Sequence, residues 1–218
     1  MSTATPRHLA VFGAGAMSGV LAPHWVRPGR VLSVSGRSSE TAERLAGRLG
    51  ALVLDWSEAA RAADVVLLGV HWAGVDEALT WAGADDGALA GKVIIDCSNP
   101  VEVEGFTLVH GGRSLTEAVQ HRTGARVVKA FNLCHAEVWR RVPSYGRPGL
   151  VVPISGDDPS AKELVAGLVD EVGATALDVG GVDQALHLEA VAAIVIRLLF
   201  GGADPSTTFN LVTAHAEA

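Results

Sequence analysis

The chemistry-bearing part of the chain starts at Gly13-Ala14-Gly15-Ala16-Met17-Ser18, which follows the apolar run His8–Phe12. A G-x-G-x-x-G turn between a strand and a helix lets backbone approach a pyrophosphate and offers that anion free N–H groups. Here Ser18 takes the place of the third glycine and Gly19 follows it. A small residue satisfies the close helix–strand packing required there. An acidic residue at the end of the second strand would bond a ribose 2′-OH and repel a 2′-phosphate. The chain instead carries Ser35-Gly36-Arg37-Ser38, with Arg44 further on. Two hydroxyls, a helix start and a planar guanidinium fork suit a phosphate, so NADP(H) is expected over NAD(H). The competing reading makes Arg37 a solvated turn residue and Ser38 only a helix cap.

These groups must be held by an alternating pattern of elements. Strands are expected at His8–Phe12, Arg30–Ser35, Ala51–Leu54, Ala63–Val70, Lys92–Asp96 and Arg126–Ala130. Helices are expected after the glycine turn as far as Val26 with a disturbance at Pro23, and at Ser38–Leu49, Ala73–Ala82, Ser114–His121 and His135–Arg140. Continuous apolar strands separated by helices imply an α/β doubly wound parallel sheet covered on both faces. Beyond the Pro/Gly-rich stretch 143–149, the pattern continues as strand Leu150–Ser155, helix Pro159–Glu171, strand Ala174–Val179 and an apolar helix from about Val182 to Phe200. We therefore expect a dinucleotide-binding domain at residues 1–142 and a small C-terminal α/β segment at 143–218. The last helix is apolar on nearly every face and should be buried against the sheet or form a homodimer seam. Only the ends, residues 1–7 and 213–218, look frayed.

Composition narrows the function classes. The 218 residues carry 17 Lys+Arg against 24 Asp+Glu, a formal charge of −7, which argues against nucleic acid and anionic membrane surfaces as partners. Two cysteines, Cys97 and Cys134, make no disulfide scaffold, and no signal-like opening stands at the N-terminus, so a cytoplasmic protein is expected. The longest apolar stretch, Ala190–Phe200, contains Arg197 and is far below the roughly 20 residues that span a bilayer. His8, His24, His110, His121, His187 and His215 show no metal-ligand spacing with the cysteines, and no metal site is expected.

Further motifs are Val65-Val66-Leu67-Leu68-Gly69-Val70-His71-Trp72, Ile95-Asp96-Cys97-Ser98-Asn99-Pro100 and Val127-Val128-Lys129-Ala130-Phe131-Asn132. Val152-Pro153-Ile154-Ser155-Gly156-Asp157-Asp158, Leu177-Asp178-Val179-Gly180-Gly181 and Leu188-Glu189 follow in the C-terminal part. With the glycine turn and Ser35-Gly36-Arg37, this set resembles the NADPH-dependent coenzyme F420 reductases (F420H2:NADP oxidoreductases) over nearly the whole chain. It is also similar to the ferric-reductase module of the STEAP proteins, which use NADPH with a flavin. The resemblance implies a Rossmann NADP(H)-binding domain, a C-terminal segment closing a deazaflavin site, dimerisation, and direct hydride transfer between two bound rings. The chain departs from the family pattern at two strand ends, with His71 where Pro is common and Asn132 where His is common.

On this reading Val70, His71 and Trp72 lie beside the nicotinamide, while Asn99, Pro100 and Asn132 line the crevice, where an amide can both donate and accept. His71 and His135 are candidate proton donors, since histidine titrates near working pH. The alternative for each is a hydrogen-bonded loop histidine. Cys134, at a helix start, is either a thiol of lowered pKa or a packed structural one. Of the tryptophans only Trp72 is expected at the site, with Trp25, Trp56, Trp81 and Trp139 as core or interface fillers. The second substrate is a deazaflavin or flavin, or alternatively a small imine or carbonyl compound. A non-catalytic NADP(H)-binding protein is the reading from a different class.

Overall fold

The computed structural model describes residues 6–109, 111–140 and 149–202. The expected boundary between residues 142 and 143 and the expected frayed ends, apart from Pro6 and Arg7, lie outside these. A six-stranded parallel sheet runs in the order β3-β2-β1-β4-β5-β8, with β1 at His8–Phe12, β2 at Val31–Ser35, β3 at Leu52–Val53, β4 at Val65–Leu68, β5 at Val93–Asp96 and β8 at Arg126–Lys129. Chain order reverses across β1, which pairs with β2 on one side and β4 on the other. In open α/β sheets that reversal leaves a crevice at the carboxyl ends of the strands.

Side chains along the central strands alternate between two apolar layers. Leu9, Val11, Leu67 and Ile95 face α1 (Ala16–Leu21), α2 (Ser39–Leu49) and α7 (Pro159–Val172). Ala10, Phe12, Val66, Leu68 and Ile94 face α3 (Trp56–Ala62), α4 (Val75–Trp81) and α5 (Leu115–Thr123). Both faces are covered, as the unbroken apolar strands required. Helix α3, only seven residues long, was not expected from the sequence. The disturbance at Pro23 is a 3₁₀ turn, Ala22–Trp25, following α1.

The helix ends follow local chemistry. Ser38 accepts from the Thr41 N–H to start α2, and Gly50 ends it in the left-handed region. Asp158 caps α7 through Ala161 N–H, with Pro159 in its first turn.

A short hairpin, β6 (Val101–Glu102) with β7 (Thr107–Leu108), interrupts the path from β5 to α5. Strands β9 (Val151–Ile154) and β10 (Thr175–Asp178) form a separate parallel pair, and Ser155 just after β9 bridges antiparallel to Lys129 at the end of β8. Helix α7 joins the main core: Trp25 donates its indole N–H to Leu168 O at 3.0 Å, and Arg30 donates to both Glu171 oxygens at 2.6 and 2.9 Å. Helix α8 (Ala185–Phe200) buries Leu188, Glu189, Ala192 and Ala193 but leaves His187, Ile194, Arg197 and Phe200 exposed, so among the described residues one side of the helix is uncovered. Among the described residues no helix is long and apolar enough to cross a membrane.

Candidate functional site

Gly13 follows β1 with φ near +91°, a conformation costly for side chains, and a Cβ there would lie 2.7 Å from the Gly69 carbonyl oxygen. Its N–H donates to Ser35 O at 2.8 Å, while Gly69 N–H donates to Phe12 O at 2.8 Å. The turn is therefore wedged among the tips of β2, β1 and β4. Ser18 is fully buried against Gly69, and a Cβ at residue 69 would collide with the Ser18 hydroxyl. The departure from the third glycine is thus accommodated by a glycine on the neighbouring strand.

Strand order puts Arg37, after β2, and Val70 with His71, after β4, on opposite sides of this turn. Between them lies a cleft of about 640 Å³, whose walls include Gly13, Ala14, Gly15, Arg37, Ser38, Thr41 and His71. A lobe of about 280 Å³ adjoins it through Val70 and His71 and reaches Trp72, Ser98 and Asn99. Another of about 420 Å³ adjoins it through Arg37 and contains Gly36, Trp56 and Trp81.

Not every expected phosphate ligand reaches the cleft. Ser35 is buried and its hydroxyl donates to Leu54 O at 2.8 Å, where it ties β2 to the chain after β3. Arg44 stands in solvent on α2, 3.8 Å from Glu40, and is absent from the cleft walls because its helical position turns it outward. Thr41, one turn into α2, takes a place on the wall instead. Arg37 has no hydrogen bond or ion pair among the described residues, so its guanidinium fork is uncommitted. Trp56 and Trp81 are a second correction: both line the cleft rather than fill the core, because α3 and α4 bring their indoles together beside Arg37.

A second cavity of about 290 Å³ lies on the other side of the glycine turn, between Ala16, Met17, Asn99, Asn132 and His135 and the Ala192, Val195, Ile196 and Leu199 positions of α8. The Asn132 amide donates to Asn99 Oδ1 at 3.0 Å and to Leu188 O at 3.1 Å, and Asn99 donates back to Asn132 O at 2.8 Å. Both partners of the Asn132 nitrogen are acceptors, which fixes the amide orientation and leaves Oδ1 buried without a donor. Phe131, just before it, holds φ near +62°, a strained value for an aromatic residue, and packs against Trp139 and Trp25 at centroid distances of 5.1 and 6.2 Å. Pro100 is buried, and its carbonyl accepts from Val109 N–H.

His71 and His135 share one geometry. Each caps a helical turn through Nδ1, from Ala73 N–H and from Glu137 N–H respectively, both at 3.3 Å, so the ring proton of the neutral form sits on Nε2. The His71 ring lies 5.4 Å from that of Trp72. Burial raises the Cys134 thiol above its ordinary value, in line with the packed structural alternative rather than the lowered one, and pushes Cys97 up to about 12 with the Asp96 charge adding to it. Neither thiol is an activated nucleophile.

Beneath the crevice is a cluster that motif reading passed over as chemistry. Lys129, at the end of β8, is fully buried and donates to Asp96 Oδ2 at 3.0 Å, Glu189 Oε1 at 2.9 Å and Ser98 O at 2.6 Å. Asp96 also accepts from Thr116 at 2.7 Å and from the Ser98 N–H at 2.9 Å, while Glu189 accepts from the Leu115 N–H. Burial raises the Glu189 carboxyl, against the pull of Lys129. Asp96 is held low by Lys129 and its hydrogen bonds despite burial opposing this. The cluster ties α8 and the start of α5 to the tips of β5 and β8. A signal for it was present: single charges ending otherwise apolar strands, and one glutamate within an apolar helix.

Residues 8–100 match the family model described as NADP oxidoreductase, coenzyme F420-dependent. A solved structure provisionally described as an F420-dependent NADP reductase, from Arthrobacter sp. FB24, is 26% identical with a TM-score of 0.78, covering 91% of this chain and 96% of that one. The metalloreductase STEAP3 of Rattus norvegicus is 34% identical over 111 residues, which make up 51% of this chain and 21% of that protein. The chain thus spans about a fifth of the length of that relative. A reductive aminase of Aspergillus terreus, solved with NADPH and ethyl levulinate, is 22% identical with a TM-score of 0.63, covering 91% of this chain and 63% of that one, and shares the fold.

Proposed function

We propose that the protein is an NADP(H)-dependent oxidoreductase that moves a hydride between the nicotinamide and a second ring, that of a deazaflavin such as coenzyme F420 or of a flavin. The observation carrying this reading is the glycine turn with an uncommitted Arg37 on one side and the His71–Asn99–Asn132 wall on the other. The residues fit the cofactor: a Cβ at Gly13 would fill the cradle, and Arg37, Ser38 and Thr41 offer donors to a 2′-phosphate. When bound, NADPH supplies the hydride, so the protein's contribution is chiefly position and exclusion of water. Gly13, Ala14 and Gly15 present backbone to the pyrophosphate. Val70, His71 and Trp72 border the nicotinamide side, and the orphan Asn132 Oδ1 waits for a donor from an amide or ring N–H. His71 Nε2 or His135 Nε2 supplies a proton where the acceptor needs one. The domain reading assigns the nucleotide to residues 1–142 and closure of the acceptor cavity to 143–218 through α8. The uncovered side of α8, with Ile194 and Phe200, is the face on which a second copy packs.

One observation favours a different acceptor. The cavity beside α8 is about 290 Å³ and lined by Met17, Phe131, Val195, Ile196 and Leu199. That is at the small end of ligand pockets and suits a compact apolar imine or ketone. The test is anaerobic mixing of the protein with NADPH and oxidised F420, with parallel arms containing FAD, a cyclic imine and a cyclic ketone, and with NADH in place of NADPH. Bleaching of F420 or FAD that requires NADPH supports the ring-to-ring reading. Turnover confined to the imine or ketone replaces it with the small-acceptor reading. NADPH binding without turnover in any arm leaves a nucleotide-binding protein, and no binding refutes the cofactor assignment.

A further inference from the structure

We propose that Trp56 and Trp81, together with Arg37, form the pocket for the adenine base of the dinucleotide, an inference that rests on the cofactor reading above. The 2′-phosphate that Arg37 would recognise is carried on the adenosine ribose, so the base attached to that ribose must lie beside Arg37 and away from the glycine turn. The cavity continuing in that direction, about 420 Å³, contains both indoles. Their centroids are 5.4 Å apart and tilted by 51°, and Trp56 is braced from behind by Phe12, fully buried on β1, at 5.1 Å. Trp56 is thus preorganised by the core, whereas Trp81, at the end of α4, remains 38% exposed. A purine brings a flat π-face to such a wall, and a guanidinium can stack as well as pair. Packing of α3 on α4 accounts for the contact between the indoles, but not for their shared opening onto the cleft beside an uncommitted arginine.

Calorimetric titration of the full chain with adenosine 2′,5′-bisphosphate and with 5′-AMP tests this without turnover or nicotinamide. Trp81→Ala should weaken both ligands by about tenfold, in line with loss of one base–aromatic stack. Trp81→Leu, which keeps apolar bulk on α4, should weaken them similarly, while Trp81→Phe should recover most of the affinity. Arg37→Gln should weaken the bisphosphate far more than 5′-AMP. Ligand quenching of tryptophan emission should shrink in Trp81→Ala. Wild-type affinity in both Trp81→Ala and Trp81→Leu overturns the proposal and leaves the cofactor reading standing. Failure of the wild-type protein to bind either nucleotide overturns both.

Discussion

Replacing Lys129 by Met should unfold much of this protein's stability margin. Its ammonium makes three hydrogen bonds of 2.6 to 3.0 Å, two of them to carboxylates, and Lys129, Asp96 and Glu189 are all fully buried. Without it Asp96 and Glu189 are left facing each other in a medium that solvates neither charge. Breaking a buried pair in this way costs about 3–5 kcal/mol, against roughly 5–15 kcal/mol for a whole domain. With a urea m-value of about 2–3 kcal/mol/M, the unfolding midpoint should fall by roughly 1–2.5 M, read by tryptophan fluorescence and circular dichroism together. Glu189→Gln should cost much less, because burial already raises that carboxyl and so favours its neutral form. The pH dependence separates the two carboxylates. A raised Glu189 contributes stability below its unfolded value that is lost as pH climbs through its folded value, so Glu189→Gln should gain on the wild type as pH rises from the ordinary carboxylate range. A depressed Asp96 has the opposite sign, and its contribution is lost as pH falls below the ordinary carboxylate range. A Lys129→Met midpoint within about 0.3 M of wild type, on the same m-value scale, would refute the view that the ammonium compensates these carboxylates.

Other outcomes follow from the same geometry. Gly69→Ala should destabilise the fold and weaken NADPH binding, and Ser18→Gly in the same chain should restore both, because the clash is with the Ser18 hydroxyl; a thermal melt with and without NADPH checks this. Arg37→Gln should lower the preference for NADPH over NADH by roughly ten- to a hundredfold, as loss of a charge-assisted hydrogen bond implies, with NADH affinity little changed by titration. Iodoacetamide at pH 8 should leave Cys97 unmodified in the folded protein, its thiol pushed up to about 12, while urea exposes it to full alkylation by mass spectrometry.

Much of the fold was written locally. The unbroken apolar runs of β1, β4 and β5 demanded cover on both faces, the cap at Ser38 was readable from its residue type, and the helices expected at Ser114–His121 and Pro159–Glu171 are started by Ser114 and Asp158. The glycine turn was legible because its backbone conformation and close approach are properties of the residues themselves. Which side chains face the crevice was less legible. Ser35 and Arg44 have the right types for a phosphate, yet one hydroxyl is taken by Leu54 and one guanidinium turns to solvent. Trp56 and Trp81 lie 25 positions apart in the chain and face the same cleft only because α3 and α4 pack side by side.

The amino-acid sequence by itself determined the alternation of elements, the parallel sheet and the place of the nucleotide turn, since these follow from periodicity, caps and glycine geometry over short distances. Tertiary structure alone decided that Lys129, Asp96 and Glu189 compensate one another, that Ser18 fits because residue 69 is Gly, and that Asn132 keeps a buried oxygen free above the apolar wall of α8. Those outcomes depend on which distant groups meet once water is excluded, and a buried charge or amide acquires its meaning only from its partners.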